Sequence, residues 1–472
     1  MRPTHAIKWT LTSQVFRGGI QLIQLFILAK ILGPSEYSLI ALATAFTTLA
    51  LIFSDLGLTA AYIQYQTITT EQRDALFTCN VALALIISLL AIVLAPLIAR
   101  GLGTPLIEPL LKLTAPIILI TALGQQVRAS AEKTLNFQPL ATYEIIGNAA
   151  SFLTTIALAL NETGAASIIW GAIVYSAIIT TLPWIQFPKA MKPRLVRRLQ
   201  IERKSLHFGL NTLANGILAN LTLNSDLFLS SKILGDSALG SYSLPRNLTL
   251  QLQAIANPPL NRASFPILSK FQNDRITIKE LFKAITSITI TLNAPLYLVL
   301  IFYADPIINL ALGEAWTNSI ELLKVLAFWG VMRTCLNPPG TLLLALNKVE
   351  SLRNWNLIVL IATCLTVLIA APYGPTTMAQ ALTILTILQV ALLWLTLIRR
   401  HTDVGFFEYI KSIFMPIALG WASIGGISTL NLPHDATPFH LFIQVAVSVT
   451  LYSLLVYLPL RKNLLTLGKP AT

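Results

Sequence analysis

Fourteen stretches of this chain are apolar over the roughly twenty residues that a helix needs to cross a bilayer core. They run approximately over 12–32, 37–60, 76–99, 108–127, 143–160, 167–187, 207–230, 238–259, 282–303, 319–345, 354–371, 376–398, 411–430 and 439–460, of which 207–230 is the least apolar. Inside hydrocarbon each backbone polar group must be satisfied within its own segment, and a helix does this. The pattern therefore predicts an all-α integral membrane protein of about 14 transmembrane helices. Composition agrees. Only 11% of residues are charged, against about 25% in soluble domains, and mean hydropathy is +0.70.

Lys and Arg outnumber Asp and Glu by 33 to 20. In a soluble protein that excess would point to nucleic acid; in a membrane chain it points to basic cytoplasmic loops, and no nucleic-acid partner is expected. Counting alternate loops with the N-terminus inside assigns 26 Lys and Arg to inner segments and four (Lys30, Arg100, Lys112, Lys232) to outer ones. A missed span would scramble that alternation, so both termini are expected in the cytoplasm. No small-residue cleavage site follows the first apolar stretch at the usual distance, which reads as an uncleaved first span. Cys79, Cys335 and Cys364 lie in apolar runs without paired spacing, as packed thiols rather than a disulfide framework or metal site.

One phrase occurs twice. Lys30-Ile31-Leu32-Gly33 leads to Tyr37-Ser38-Leu39, and Lys232-Ile233-Leu234-Gly235 leads to Tyr242-Ser243-Leu244. Each copy follows a long apolar segment, and they stand nearly half the chain apart. This predicts two six-helix lobes on one plan. Six is even, so both lobes start inside and relate by a pseudo-two-fold along the membrane normal. The expected division is 1–188 for the first lobe and 189–206 for a basic cytoplasmic linker. A second lobe then covers 207–400, and two additional helices with a short tail cover 401–472.

Polar side chains within spans face a bundle interior or a wet cavity. Gln14, Arg17, Gln21 and Gln24 fall within about 80° of the first helix; Asn211, Asn215, Thr222 and Asp226 within about 60° of the seventh; Arg246, Gln253 and Asn257 within about 40° of the eighth. The first and seventh spans each open a lobe, so the stripes repeat the two-lobe plan. Arg246 follows Pro245 well inside its span and needs an anion, either Asp226 or a bound phosphate. Arg333 sits mid-span, before Pro338 and Pro339, which should break the helix. Lys324 is expected to pair with Glu321 one turn earlier. Asp55 near the inner end of span two reads as a latch or a cap, Glu144 at the inner edge of span five as solvated, and the 189–204 run as lying on anionic lipid heads.

Signals of catalysis are missing from the sequence. It has no G-x-x-x-x-G-K-[ST] phosphate loop, its five histidines are scattered, and its outer loops are too short for the acidic pair of a membrane polymerase or glycosyltransferase. No cofactor and no metal are expected, which leaves ion or substrate gradients as the energy source.

The segments 28–43 and Phe53-Ser54-Asp55-Leu56-Gly57-Leu58, with Asp226-Leu227-Phe228-Leu229, Leu239-Gly240-Ser241-Tyr242 and Phe265-Pro266-Ile267-Leu268-Ser269-Lys270-Phe271-Gln272, resemble the Wzx-type polysaccharide exporters of the MATE-like MOP flippase superfamily. The resemblance covers most of 10–275. Tyr37 and Glu36 stand where Phe and Asp are more usual, and Pro245 departs from the commoner small residue. The resemblance implies a multi-pass protein of the bacterial inner membrane that flips undecaprenyl-diphosphate-linked oligosaccharide by alternating access through a cationic cavity. On that basis Arg17, Arg246 and Arg333 would attract the diphosphate. Gln21, Gln24, Asn211 and Asn215 would bind sugar hydroxyls, and Asp55 or Asp226 would hold a coupling H+ or Na+. The polyprenyl tail would stay in lipid along the two extra helices. A polysaccharide polymerase and glycosyltransferases would act beside it. A cation-coupled drug exporter of the same superfamily is the alternative, although it would want an acidic cavity; a membrane polymerase or glycosyltransferase is the second.

Overall fold

The computed structural model describes residues 3–65, 68–134, 136–197, 202–430 and 438–468, and every regular element among them is helical. Arg198 of the basic linker, and Arg2 and Lys469 near the ends, lie outside these residues. The chain forms two compact units, Met1–Gly240 and Ser241–Thr472.

The first unit opens with α1 (Pro3–Asp55), which at 53 residues is long enough for two crossings. It leaves helical space only at Gly33, and Pro34 restarts it, a position where the missing N–H costs nothing. Leu56 and Gly57, both with positive φ, then turn the chain into α2 (Leu58–Gln64). α3 (Thr70–Leu102) begins with a reciprocal capping box between Thr69 and Gln72. α4 (Ile107–Lys133), α5 (Phe137–Leu160) and α6 (Ala166–Gln186) follow, with α3 packed on α4, α5 on α6, and α1 on α5. α7 (Arg203–Leu234) closes the unit against α1, α2 and α3, with Phe228 on Phe46 at 4.7 Å between ring centroids.

The basic segment before α7 is strapped to α3. Arg73, only 6% exposed, donates to the Ala190 carbonyl at 2.6 Å and the Lys192 carbonyl at 3.2 Å while pairing with Asp74 at 2.8 Å. Val196 N–H donates to Thr78 Oγ1 at 3.0 Å.

α8 (Asp236–Lys270) leaves the first unit and becomes the opening helix of the second. α9 (Arg275–Phe302) starts at Asp274, whose carboxylate accepts the Ile276 and Thr277 N–H groups, both at 3.1 Å. These bonds hold the Asp274 carboxyl below the usual aspartate range. Then come α10 (Ala304–Ala311), α11 (Ser319–Thr334), α12 (Asn337–Ala345), α13 (Val349–Ala370) and α14 (Pro375–Leu393). A π-turn at Trp394–Ile398 leads to α15 (Arg399–Thr402), and a second at Trp421–Gly425 links α16 (Phe406–Gly420) to α17 (Gly426–Ser428). α18 (Pro438–Gly468) is the last helix.

α9 is the hub of this unit. Its buried Phe282, Tyr297 and Leu298 join Cys335, Leu342 and Tyr409 in one core, and α16 and α18 both pack on it. Tyr452 of α18 donates to the Thr291 carbonyl at 2.9 Å, and Asn463 to Ser287 Oγ at 2.9 Å. In a bundle without a hydrophobic driving force between helices, close packing and such bonds together hold one helix to another.

Ten helices among the described residues are long and apolar enough to cross a membrane, one of them the 40-residue Phe16–Asp55. α7, α8 and α11 fall short of that composition because they carry polar stripes or end early. One expectation needs correcting: Lys324 bonds to Asp305 of α10 at 2.6 Å rather than to Glu321. α10 folds back beside the start of α11, and that return is invisible to a one-turn spacing rule.

Candidate functional site

In the second unit the α8 stripe is satisfied rung by rung. Arg246 is 2% exposed and its Nη1 donates to Asn247 Oδ1 at 3.3 Å. One turn on, Thr249 packs into Gly330 of α11 while Tyr297 donates to the Thr249 carbonyl at 3.3 Å. Gln253 Oε1 accepts from Arg333 Nε at 3.1 Å, and the Arg333 guanidinium lies over the Trp329 ring at 5.0 Å. Asn257 accepts from Asn293 of α9 at 3.3 Å. Asn261 and Asn337 exchange amide hydrogen bonds of 3.1 and 3.0 Å, and Thr341 adds a third at 3.1 Å.

The helix carrying Arg333 is interrupted at Cys335 and Leu336, between α11 and α12, just before Pro338 and Pro339. Arg333 and Asn337 flank this break, and both bind the α8 stripe. The structure therefore joins the two features that the sequence singled out separately. Asn261 and Asn293 were missed, although Asn257 and Asn261 are one turn apart and the stripe could have been extended.

Beneath the same break lies a wholly apolar cavity of about 340 Å³, lined by Met332 and Cys335 of α11 and its end, Val390 of α14, and Phe406, Tyr409 and Ile413 of α16.

In the first unit, Arg17 is exposed on α1 while Gln21 and Gln24 are half-buried; Asn211 and Asn215 are exposed on α7. Asp226 is buried, and its carbonyl accepts from Ser230 Oγ at 2.5 Å. Nearby on α7, Asn220 is also buried and its Oδ1 has no hydrogen-bond partner.

Asp55 closes α1. Its Oδ1 accepts from Thr59 N at 3.3 Å, from the Thr59 hydroxyl, and from Asn80 Nδ2 at 3.1 Å, tying α1 to α2 and α3. The turn it stabilises is so tight against α7 that a Cβ on Gly57 would stand 2.5 Å from the Gly209 carbonyl.

Glu144, expected to be solvated, instead forms a 3.2 Å ion pair with Arg128 of α4. Helical periodicity within α5 gives no hint of this partner, which sits on another helix.

The family of polysaccharide biosynthesis proteins matches residues 27–321, more than half of the chain. The chain belongs to that family. It is 27% identical to the lipopolysaccharide biosynthesis protein WzxC of Escherichia coli (strain K12), over 87% of this chain and 84% of that one. To the teichuronic acid biosynthesis protein TuaB of Bacillus subtilis (strain 168) it is 28% identical, over 94% and 93%. Among solved structures, an inward closed conformation of the lipid II flippase MurJ covers 96% of the chain and 99% of its own, with a TM-score of 0.73 at 16% identity. An inward-facing multidrug resistance MATE transporter of the MOP superfamily gives 0.60 at 13% identity, over 85% and 98%. These likenesses establish the MurJ- and MATE-like fold of this family member.

Proposed function

We propose that this polysaccharide biosynthesis protein is a flippase for undecaprenyl-diphosphate-linked oligosaccharide in the bacterial inner membrane, a transporter rather than an enzyme. A diphosphate bearing sugars cannot cross hydrocarbon unaided, so the carrier must offer fixed cations and hydrogen-bonding groups along its path. The observation that carries the reading is the α8 face. It sets a guanidinium that is 2% exposed, Arg246, two turns from Gln253, which in turn orients Arg333. A guanidinium stays charged at any working pH, and its planar fork matches the oxygens of a phosphate.

In this reading Arg17, Arg246 and Arg333 meet the diphosphate, while Gln21, Gln24, Asn211 and Asn215 meet sugar hydroxyls. The polyprenyl tail runs in lipid and along the apolar cavity flanked by Phe406 and Ile413 of α16. Two lobes, 1–188 and 207–400 with the linker 189–206 between them, alternate in access, and helices of 401–472 flank the second. Both termini are cytoplasmic. H+ or Na+ at Asp55 or Asp226 biases the exchange, and a polymerase and glycosyltransferases work on either side of the step.

The test is export of surface polysaccharide by Arg246→Ala and Arg333→Ala. Loss of export in both, with normal membrane insertion, is the expected result. Normal polysaccharide in both would overturn the assignment.

A further inference from the structure

Arg128 of α4 and Glu144 of α5 form an ion pair whose side chains are 25% and 30% exposed. They do not stand alone. Tyr175 of α6 lies within electrostatic reach of Arg128, of Glu144 and of Arg17 on α1. Glu132, one turn beyond Arg128, lies within reach of both Arg128 and Glu144. Arg17, Arg128 and Glu144, from α1, α4 and α5, thus share the surroundings of one tyrosine, and Glu132 adds a second carboxylate near Arg128. The adjacent Lys133 is engaged elsewhere, on the Tyr65 carbonyl at 2.8 Å and over the Tyr62 ring at 4.4 Å.

A pair this exposed contributes little to holding helices together, and α5 has better anchors. Gly147 packs directly on Tyr175 and Ile179 of α6. Asn148 Nδ2 donates to the Glu144 carbonyl at 2.6 Å, fixing the backbone from which the carboxylate projects. The guanidinium fork that accepts a carboxylate fits a phosphate equally well.

We propose that Glu144 is an internal counter-ion which the phosphate head of the cargo displaces from Arg128. Arg128 then binds the phosphate, and Glu144 returns to Arg128 as the cargo leaves. By competing for the guanidinium, Glu144 weakens cargo binding and so permits release. The inference rests on the reading of the chain as a carrier of diphosphate-linked lipid.

The experiment measures the Kd of undecaprenyl diphosphate for the full-length protein in nanodiscs of zwitterionic lipid. Wild type, Glu144→Gln, Arg128→Gln and the double variant are compared. Glu144→Gln binds about tenfold more tightly and Arg128→Gln about tenfold more weakly, and each tenfold is about 1.4 kcal/mol. The double variant matches Arg128→Gln, because Glu144 acts through Arg128. Glu144→Asp, which withdraws the carboxylate by one methylene, gives a smaller gain and serves if an arginine variant fails to insert. Binding by wild type with no gain in Glu144→Gln, or with the same gain in the Arg128→Gln background, overturns the counter-ion alone. Absence of binding in all four proteins overturns it together with the flippase reading.

Discussion

Gly33 and Gly235 hold the same backbone conformation, with φ 74°, ψ 177° at the first and φ 73°, ψ 169° at the second. This region of backbone space is open essentially to glycine alone. Each glycine ends one helix and is followed at once by the start of the next, so the repeated Lys-Ile-Leu-Gly phrase encodes a repeated corner. The corners are also neighbours, since a Cβ on Gly240 would lie 1.7 Å from the Pro34 carbonyl oxygen.

Neither Gly33 nor Gly235 has another atom within 4 Å of where a Cβ would stand. Alanine at either site therefore meets no clash, and its cost is purely conformational, on the order of 1–3 kcal/mol. Gly33→Ala and Gly235→Ala should lower the thermal midpoint in detergent by similar amounts. Gly240→Ala, which is helical but has no room, should cost more than either. A large inequality between the first two would refute their equivalence.

That corner was legible in the sequence because a repeat of residue types records a repeat of backbone geometry. The stripes on α1, α7 and α8 were legible for a similar reason: a helix turns by a fixed angle, so spacing alone says which side chains share a face. Long-range pairings carry no such signature. Arg73 is, by sequence, one inner-side charge among many, yet it holds a carbonyl 117 positions away. Lys324 had a carboxylate at helical spacing and chose Asp305 from another helix. Glu144 has no cation at helical spacing, and its partner Arg128 lies on another helix. In each case the deciding contact is set by how helices stack, which composition and period do not encode.

Arg333 provides the second prediction. Its Nε is held by Gln253 and its plane lies on Trp329, so Arg333→Lys keeps the charge but loses both the fork and the stack. Gln253→Leu removes one charge-assisted bond of roughly 1.5–3 kcal/mol. Both variants should slow flipping in reconstituted vesicles about tenfold or more while leaving insertion intact. Unchanged rates in both would remove Gln253 from the site.

Asp55 separates two roles by substitution. Asp55→Ala strands the Thr59 N–H, costing about 1–3 kcal/mol when buried without a partner, and leaves the Asn80 amide only its 3.4 Å bond to the Thr59 hydroxyl. Asp55→Asn keeps an acceptor oxygen, so the protein should retain most of its stability. A latch predicts that the asparagine variant transports normally. An ion-coupling role predicts that it folds but no longer responds to a Na+ or proton gradient.

The strap over α3 gives the sharpest structural test. Arg73 is buried, and its bonds run to backbone carbonyls of the segment that also carries the exposed Arg194 and Arg197. Trypsin needs an extended, detached stretch to cut after those arginines, so cleavage reports how often the strap opens. Arg73→Ala removes charge-assisted bonds of roughly 1.5–3 kcal/mol. When opening is fast relative to cleavage, the rate follows the open population. Cleavage at Arg194 and Arg197 should therefore rise at least about tenfold in Arg73→Ala, at native temperature and without global unfolding. Arg73→Lys, with one ammonium in place of the fork, should fall between the two. Equal cleavage rates in wild type and Arg73→Ala would mean that Thr78 and the other contacts of the segment hold it without Arg73.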